Sequence, residues 1–172
     1  MKETTQNEAA HTIEALIKDL ASKNGQTREA ARKALVAIGR PAVASLLSLL
    51  DNSNHQVRWE AAKTLGEIKD PAAIDGLLQA LIDVQFDVRW LAAEGLVALG
   101  TQAVIPLLQT LSKMQEEDSG FLRDGAHHVL HAITGDLQDA IKPVLAALED
   151  ANFSVKTPNA ARDILKSFVE HT

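Results

Sequence analysis

The chain has 172 residues, of which 46% are hydrophobic but only 3% aromatic, and its formal net charge is −6. Hydrophobic residues that are mostly aliphatic favour helices and argue against a β-sandwich or barrel, whose strands prefer aromatic and β-branched side chains. The absence of cysteine excludes disulfides and thiolate chemistry, and the acidic balance excludes a basic surface for nucleic acid.

The first residues and the hydropathy of the chain predict a cytoplasmic protein. The opening MKETTQNEAAH is polar and lacks the apolar region of a signal peptide. No apolar run approaches the roughly 20 residues that a bilayer-spanning helix needs. We therefore expect no membrane contact.

A first series of predicted helices recurs about every 30 residues. Each member begins at a β-branched residue, with apolar residues three, four and seven positions later, as in Ile13, Leu16, Ile17 and Leu20. This spacing places all of them on one face of a helix of about three turns. We call these the A helices, and their first residues are Ile13, Val43, Ile74, Val104 and Ile141.

A second series, the B helices, lies between the first. Small and large apolar residues recur four and three positions apart, which again makes one helical face. The aligned alanines are Ala31, Ala61, Ala92 and Ala126, and the aligned leucines are Leu35, Leu65, Leu96 and Leu130. In the last repeat, Thr157 and Pro158 predict a new helix start after a short turn at 153–156.

Pairing each A helix with the B helix that follows predicts a single all-α domain over residues 1–172. Paired amphipathic helices of this kind must stack on their neighbours to bury their apolar faces. The predicted repeats span about 10–38, 41–69, 71–100, 102–134 and 138–170.

The stretch VRWEAAKTLGEIKDPAAIDGLLQAL, Val57–Leu81, resembles the HEAT repeat, in the short form first named from phycobilisome lyases. The resemblance covers nearly the whole chain, from about His11 to Val169. It implies a right-handed α–α superhelix, a HEAT-like α-solenoid of about five helix pairs, with the A helices on the convex side and the B helices on the concave side. The motif positions are structural, so they leave function open.

An arginine occupies the same position in four B helices: Arg28, Arg58, Arg89 and Arg123. Such a ladder could bind phosphates or carboxylates. The simpler interpretation is structural, with each arginine paired to an acid such as Asp51 or Asp83 in the A–B loops. A residue repeated at every period is usually explained by the period, and we favour the structural ladder.

Trp59 and Trp90 each follow a ladder arginine and lie off the apolar stripe of their helices. In adjacent repeats the two rings would lie near each other, and exposed aromatic residues often anchor interfaces. The alternative is that each ring simply packs on the neighbouring repeat. The predicted partner-binding surface, of mixed charge and suited to a protein or peptide, comprises Trp59, Lys63, Glu67, Trp90, Glu94, Asp124 and His128.

Helix B4 carries three of the chain's six histidines. His127 and His131 are one turn apart with Asp124 close by, a spacing that could hold a transition metal. A catalytic zinc would need a further firm ligand, and HExxH is absent. We therefore expect no metal or other cofactor, and interpret the histidines as surface or interface residues or as a pH-sensitive contact.

The sequence alone favours a non-enzymatic module that binds a protein partner on the concave face of the B helices. No P-loop, dinucleotide motif or catalytic triad signature is present. The alternative, which depends on the resemblance, is a bilin lyase or isomerase subunit, or a chaperone that handles the chromophore. The oligomeric state stays open.

Overall fold

Helices of two alternating series make up the structure, a computed structural model that describes residues 12–115, 119–133 and 137–170. The A helices are α1 (12–20), α3 (Val43–Leu47), α5 (Ile74–Ala80), α7 (Val104–Ser112) and α9 (Leu137–Glu149). The B helices are α2 (Gly25–Ile38), α4 (His55–Ile68), α6 (Phe86–Leu99), α8 (Ser119–Ala132) and α10 (Phe153–Glu170). The described residues contain no strand, and the predicted all-α solenoid is confirmed.

The core is one cluster that runs through the stack from Ile13 to Ile164. Leucines of the A stripe and alanines of the B stripe fill it, as their spacing predicts. Each fully buried leucine stabilises the fold by about 1.5–3 kcal/mol. Fully buried examples are Leu20, Leu46, Leu77, Leu107, Ala61, Ala92, Ala126 and Ala161.

Two of the A helices are shorter than the three turns that the sequence predicts. Helix α3 has 5 residues and α5 has 7, and each follows a single 3₁₀ turn that contains Pro41 or Pro71. Their last leucines continue in turns, with the Leu50 N–H donating to the Leu47 carbonyl at 3.1 Å. Hydrogen bonds between residues three apart replace the α-helical bonds in these turns and so shorten α3 and α5. The apolar face is kept, because residues three apart still lie on the same side.

Asparagine side chains cap the amino-terminal ends of α2 and α4. The Asn24 Oδ1 accepts from the backbone N–H groups of Gln26 and Thr27, and Asn54 accepts from Gln56. Gly39 and Gly100 end α2 and α6 at φ of 71° and 63°. Lys69 ends α4 at φ 57°, so this helix also ends on a residue with positive φ, although that residue is not a glycine.

The predicted break before Thr157 is wrong. Helix α10 begins at Phe153 and passes through Pro158 without interruption. Asn152 lies just ahead of it, and its carbonyl accepts from the backbone N–H groups of Val155 and Lys156. Thr157 and Pro158 are buried, so tertiary packing holds the first turn helical in spite of the proline.

The prediction that no stretch is apolar enough to span a bilayer also needs correction. Phe86–Ser112 passes such a test by length and composition, with a mean hydropathy of 1.6. In the structure this stretch is α6, a 3₁₀ turn at Gly100–Ala103 and α7, and half of the window is buried inside the protein. Its apolar character is that of central core helices.

Candidate functional site

The first two ladder arginines join adjacent repeats in the same way. From Nη1, Arg28 and Arg58 each donate to the carbonyl six residues earlier, at 2.9 and 2.8 Å, which ties down the preceding loop. From Nε, each bonds a carboxylate further along the chain: Arg28 to Glu60 at 3.0 Å and Arg58 to Asp83 at 2.6 Å. Arg58 and Asp83 form a bidentate pair, since Nη2 also bonds Oδ1 at 2.9 Å.

The acid that pairs with Arg28 differs from the prediction. It is Glu60 on α4 rather than Asp51 in the loop. Glu60 is only 2% exposed and also accepts a bond from Arg32 Nη1 at 2.8 Å. Two cations thus share one buried carboxylate, the arrangement in which a buried charge is tolerated.

The environment of Asp83 favours its ionised form. Burial alone would raise the pKa of this carboxyl. The bonds from Arg58 and from the backbone N–H of Gln85, with the charges of Arg58 and Arg89, outweigh burial and hold the pKa below its ordinary value. The same pairing raises the pKa of Arg58.

The next two ladder arginines meet aromatic rings instead of acids. The Arg89 guanidinium carbon lies 3.9 Å from the ring centroid of Phe121, and that of Arg123 lies 4.7 Å from the centroid of Phe153. Arg89 keeps the loop contact, donating to the Asp83 carbonyl at 2.7 Å. Within the described ranges no carboxylate oxygen lies within ion-pair distance of Arg89.

A cleft opens between α6 and α8 beside Arg89, with a volume of about 110 Å³. Trp90 stands on one wall, with its ring centroid 4.7 Å from that of His128 and 6.4 Å from that of Phe86. We call it the aromatic cleft, and its lining is Phe86, Arg89, Trp90, Ala93, Phe121, Asp124, Gly125 and His128.

His128 is oriented by a carboxylate from the neighbouring repeat. Its Nε2 lies 2.7 Å from Glu94 Oε1, and both side chains are partly exposed. The pair joins α8 to α6 across the mouth of the aromatic cleft. Glu94 and His128 were both predicted as surface residues, and the structure brings them together through this bond.

A second hollow, of about 450 Å³, lies on the other side of Asp124, between α8 and α9. We call it the charged hollow, and its lining is Arg123, Asp124, His127, Leu148 and Glu149. His127 Nε2 lies 3.0 Å from Glu149 Oε1. Asp124 lines both spaces, so the two adjoin along α8.

The predicted pairing of Trp59 with Trp90 is not found among the ring contacts of the described residues. Trp59 is partly buried and carries the Lys63 ammonium 4.8 Å from its ring centroid. Glu67 lies 3.7 Å from Arg32 Nε, too far for a hydrogen bond. The predicted partner-binding surface therefore has two separate parts. Trp59 contacts Lys63 of its own helix, whereas Trp90 lines the aromatic cleft.

The candidate metal ligands Asp124, His127 and His131 do not assemble. The His127 and His131 rings lie 5.8 Å apart, and His127 bonds Glu149 instead. Across the described part of the chain no three histidine or carboxylate side chains converge on one point. Asp124, His127 and His131 therefore do not form a three-ligand cluster among the described residues.

Phe86 and Phe121 are the site residues that the sequence analysis missed. Phe86 could have been found, because it precedes Trp90 by four residues on one helix and so shares its face. Phe121 lies two residues before Arg123, where the other repeats carry the polar residues Gln26, Gln56 and Asp87, so the repeat pattern does not mark it as aromatic. Both side chains are largely exposed.

Two family models match the chain: HEAT repeats over residues 13–96 and the PBS lyase HEAT-like repeat over 88–113. The chain is a HEAT-repeat protein of the PBS-lyase type. The resemblance seen in the repeat motif is therefore confirmed.

Two curated relatives carry names from bilin chemistry. The chain is 39% identical over 92 residues to the bilin biosynthesis protein RpcF of Synechococcus sp. WH8020, a stretch covering 51% of this chain and 44% of RpcF. It is 38% identical over 85 residues to the phycocyanobilin lyase subunit beta of Nostoc sp. PCC 7120, covering 49% and 42%. The matched stretches thus span less than half the length of either relative.

A solved structure extends the likeness to most of the fold. A chain from the complex of CpcE and CpcF of phycocyanin lyase from Nostoc sp. PCC7120 superposes with a TM-score of 0.59 at 28% identity, covering 91% of this chain and 99% of that one. These relatives overturn the interpretation of the chain as a non-catalytic interaction module, which was wrong. They favour the alternative, a protein of the bilin lyase type.

Proposed function

We propose that this protein is a bilin lyase-type subunit, which handles an open-chain tetrapyrrole while it is attached to, or removed from, a phycobiliprotein. The observation that carries the proposal is the likeness over almost the full length of a chain from a phycocyanin lyase complex. The two relatives named for bilin chemistry support it independently through sequence.

The protein works with at least one protein partner under this proposal. The structural relative is a complex of two subunits, CpcE and CpcF, and we propose a second subunit of similar fold for this chain. The bilin-carrying protein would be a further, transient partner. A cytoplasmic location would bring this chain together with the second subunit and the bilin-carrying protein.

The chain's own residues restrict how it could hold a bilin. No cysteine is available for a thioether bond, so the bilin would be bound non-covalently and passed to a thiol of the acceptor protein. Side chains that could contact a conjugated, carboxylate-bearing ligand are concentrated between α6 and α9, in the aromatic cleft and the charged hollow.

The test is co-expression of the chain with a bilin source and an apo-phycobiliprotein, with and without a second lyase subunit. A coloured adduct that survives denaturing electrophoresis, and that is lost when this chain is omitted, is the expected result. The matched control omits only the chain and keeps the bilin and acceptor at the same levels.

A chromophore-handling chaperone is the second form of the same proposal, and the assay separates the two. A lyase raises the yield of adduct many-fold, whereas a chaperone leaves the yield unchanged and alters the spectrum or homogeneity of the product. Neither effect, in any subunit combination, would contradict the proposed function.

A further inference from the structure

We infer that the aromatic cleft and the charged hollow form one binding site for a bilin that lies across α8. The inference rests on the proposed function for the class of ligand, and on the geometry of α6, α8 and α9 for the place. Pyrrole rings would stack in the cleft, and the carboxylate-bearing part of the ligand would extend over Asp124 into the hollow.

The aromatic rings of the cleft are exposed to an unusual degree. Phe86 is 69% exposed, Phe121 48% and Trp90 47%, in a chain in which only 3% of residues are aromatic. Their ring faces offer a stacking surface for a flat conjugated ligand. Trp59, at the equivalent position of the preceding repeat, is less exposed and carries the Lys63 ammonium over its ring.

The arginines of the site suit a bilin, which carries two propionate side chains. Arg89 uses Nη1 for the Asp83 carbonyl, and its other N–H groups border the cleft without a carboxylate partner among the described residues. Arg123 and His127 line the hollow on the far side of Asp124. A guanidinium is the group best suited to a carboxylate.

Asp124 stands where the two spaces adjoin. A carboxylate there would repel a propionate, but it can accept hydrogen bonds from pyrrole N–H groups, which lie along the middle of a linear tetrapyrrole. The order of groups along the site is therefore the aromatic rings, then Asp124, then a hollow in which Arg123 lies with the His127–Glu149 pair. That order suits the ring face, the pyrrole nitrogens and the propionates of one ligand.

The dimensions require both spaces. The aromatic cleft has about 110 Å³, well below the roughly 300–1,000 Å³ typical of sites for ligands of this size. The charged hollow adds about 450 Å³. The cleft alone would accept one ring, and the remainder of the tetrapyrrole would occupy the hollow.

The test is titration of the purified chain with biliverdin, followed by absorption and induced circular dichroism of the bound pigment. Replacing both Trp90 and Phe121 with leucine should weaken binding by about tenfold or more, because two stacking faces are lost. The matched control is Trp59→Leu, the same change at the equivalent position one repeat earlier. It should stay within about twofold of the unaltered protein.

A second comparison alters the ligand and leaves the protein unchanged. Biliverdin dimethyl ester keeps the conjugated system but lacks both carboxylates, so it should bind more weakly than the diacid. Arg89→Met should weaken the binding of the diacid by about tenfold and leave the binding of the ester nearly unaffected. Asp124→Asn should shift the absorption band of bound biliverdin, because the carboxylate no longer meets the pyrrole nitrogens.

Several outcomes would overturn the inference without touching the proposed function. These are equal losses in the Trp59 and Trp90 variants, equal binding of acid and ester, or no binding of biliverdin to the unaltered chain. Adduct formation is measured separately, in the presence of the acceptor protein. Conversely, biliverdin could bind tightly in the cleft while no adduct forms in any subunit combination. That result would support the binding site and contradict the lyase function.

Discussion

The two halves of the arginine ladder use the same residue at the same helical position for different purposes. Arg28 and Arg58 donate hydrogen bonds to carboxylates of the following repeat. Arg89 and Arg123 meet the rings of Phe121 and Phe153, which share no hydrogen bond with them. In the first half the arginines are therefore paired with acids of the next repeat. In the second half, Arg89 lines the aromatic cleft and has no carboxylate partner among the described residues.

The difference shows how a repeat protein can acquire a site without changing its fold. Helix pairs of the same kind continue on both sides of α6, and the ladder arginine stays in place. What changes is the partner that the next repeat supplies, a carboxylate in one half and an aromatic ring in the other. Three predictions test whether the two kinds of contact also differ in their contribution to the free energy of unfolding.

The largest effect is expected in the ionic half, at Glu60. Glu60→Ala should lower the free energy of unfolding by about 3–5 kcal/mol, because Arg28 and Arg32 would be left partly buried without their shared carboxylate. Urea unfolding followed by far-ultraviolet circular dichroism measures it. The control is Glu67→Ala, whose side chain is 42% exposed and 3.7 Å from Arg32.

The Glu67 control should change stability by less than about 0.5 kcal/mol. If the two variants were equally stable, the buried carboxylate would contribute no more than a surface one. The contrast between the two halves of the ladder would then be geometric only.

An intermediate effect, and a dependence on pH, are expected at Asp83. Because its pKa is lowered in the folded protein, its contribution is present above the ordinary carboxyl pKa and is lost as pH falls through the lowered value. Asp83→Asn should therefore cost about 1–2 kcal/mol at pH 7, and the gap to the unaltered protein should close in acid. A gap that stayed constant between pH 7 and about pH 2 would show that the charge of Asp83 is not what stabilises the joint.

The smallest effect is expected in the aromatic half. Phe121→Leu keeps an apolar side chain but removes the ring beneath Arg89, and should cost about 1 kcal/mol. Phe86→Leu serves as the control, because its centroid lies further from the same guanidinium, at 5.6 Å, and its ring is more exposed. A larger loss at Phe86 than at Phe121 would contradict the assignment of Phe121 as the partner of Arg89.

The fold was largely predictable because burial in a solenoid repeats with the sequence. Leucines and alanines at fixed spacing identified the helix pairs and their core faces. The start of α10 was not predictable from local signals, since Thr157 and Pro158 read as a boundary while packing holds them inside the helix. Local capping chemistry is worth about 1 kcal/mol, which the burial of both residues can override.

The candidate site was predictable only in parts. Trp90, Asp124 and His128 were singled out together as part of the predicted partner-binding surface, whereas Arg89 was interpreted as a member of the arginine ladder. Their meeting in one cleft depends on the lateral distance between α6 and α8 and on Phe121, whose position holds Gln26, Gln56 or Asp87 in the other repeats. Periodicity predicts the place of Arg89, whereas the phenylalanines of the cleft do not repeat from one helix pair to the next.

The close approach of Gly66 and Gly95 has a mechanical consequence. A Cβ placed on Gly66 would lie 3.0 Å from the Cα of Gly95, so α4 and α6 already touch along their backbones and cannot move closer. A Cβ on Gly95 would in turn lie 3.2 Å from the Cα of Gly66, so a side chain at either position would force the two helices apart. The spacing of the B helices at the middle of the stack therefore depends on two residues that have no side chain.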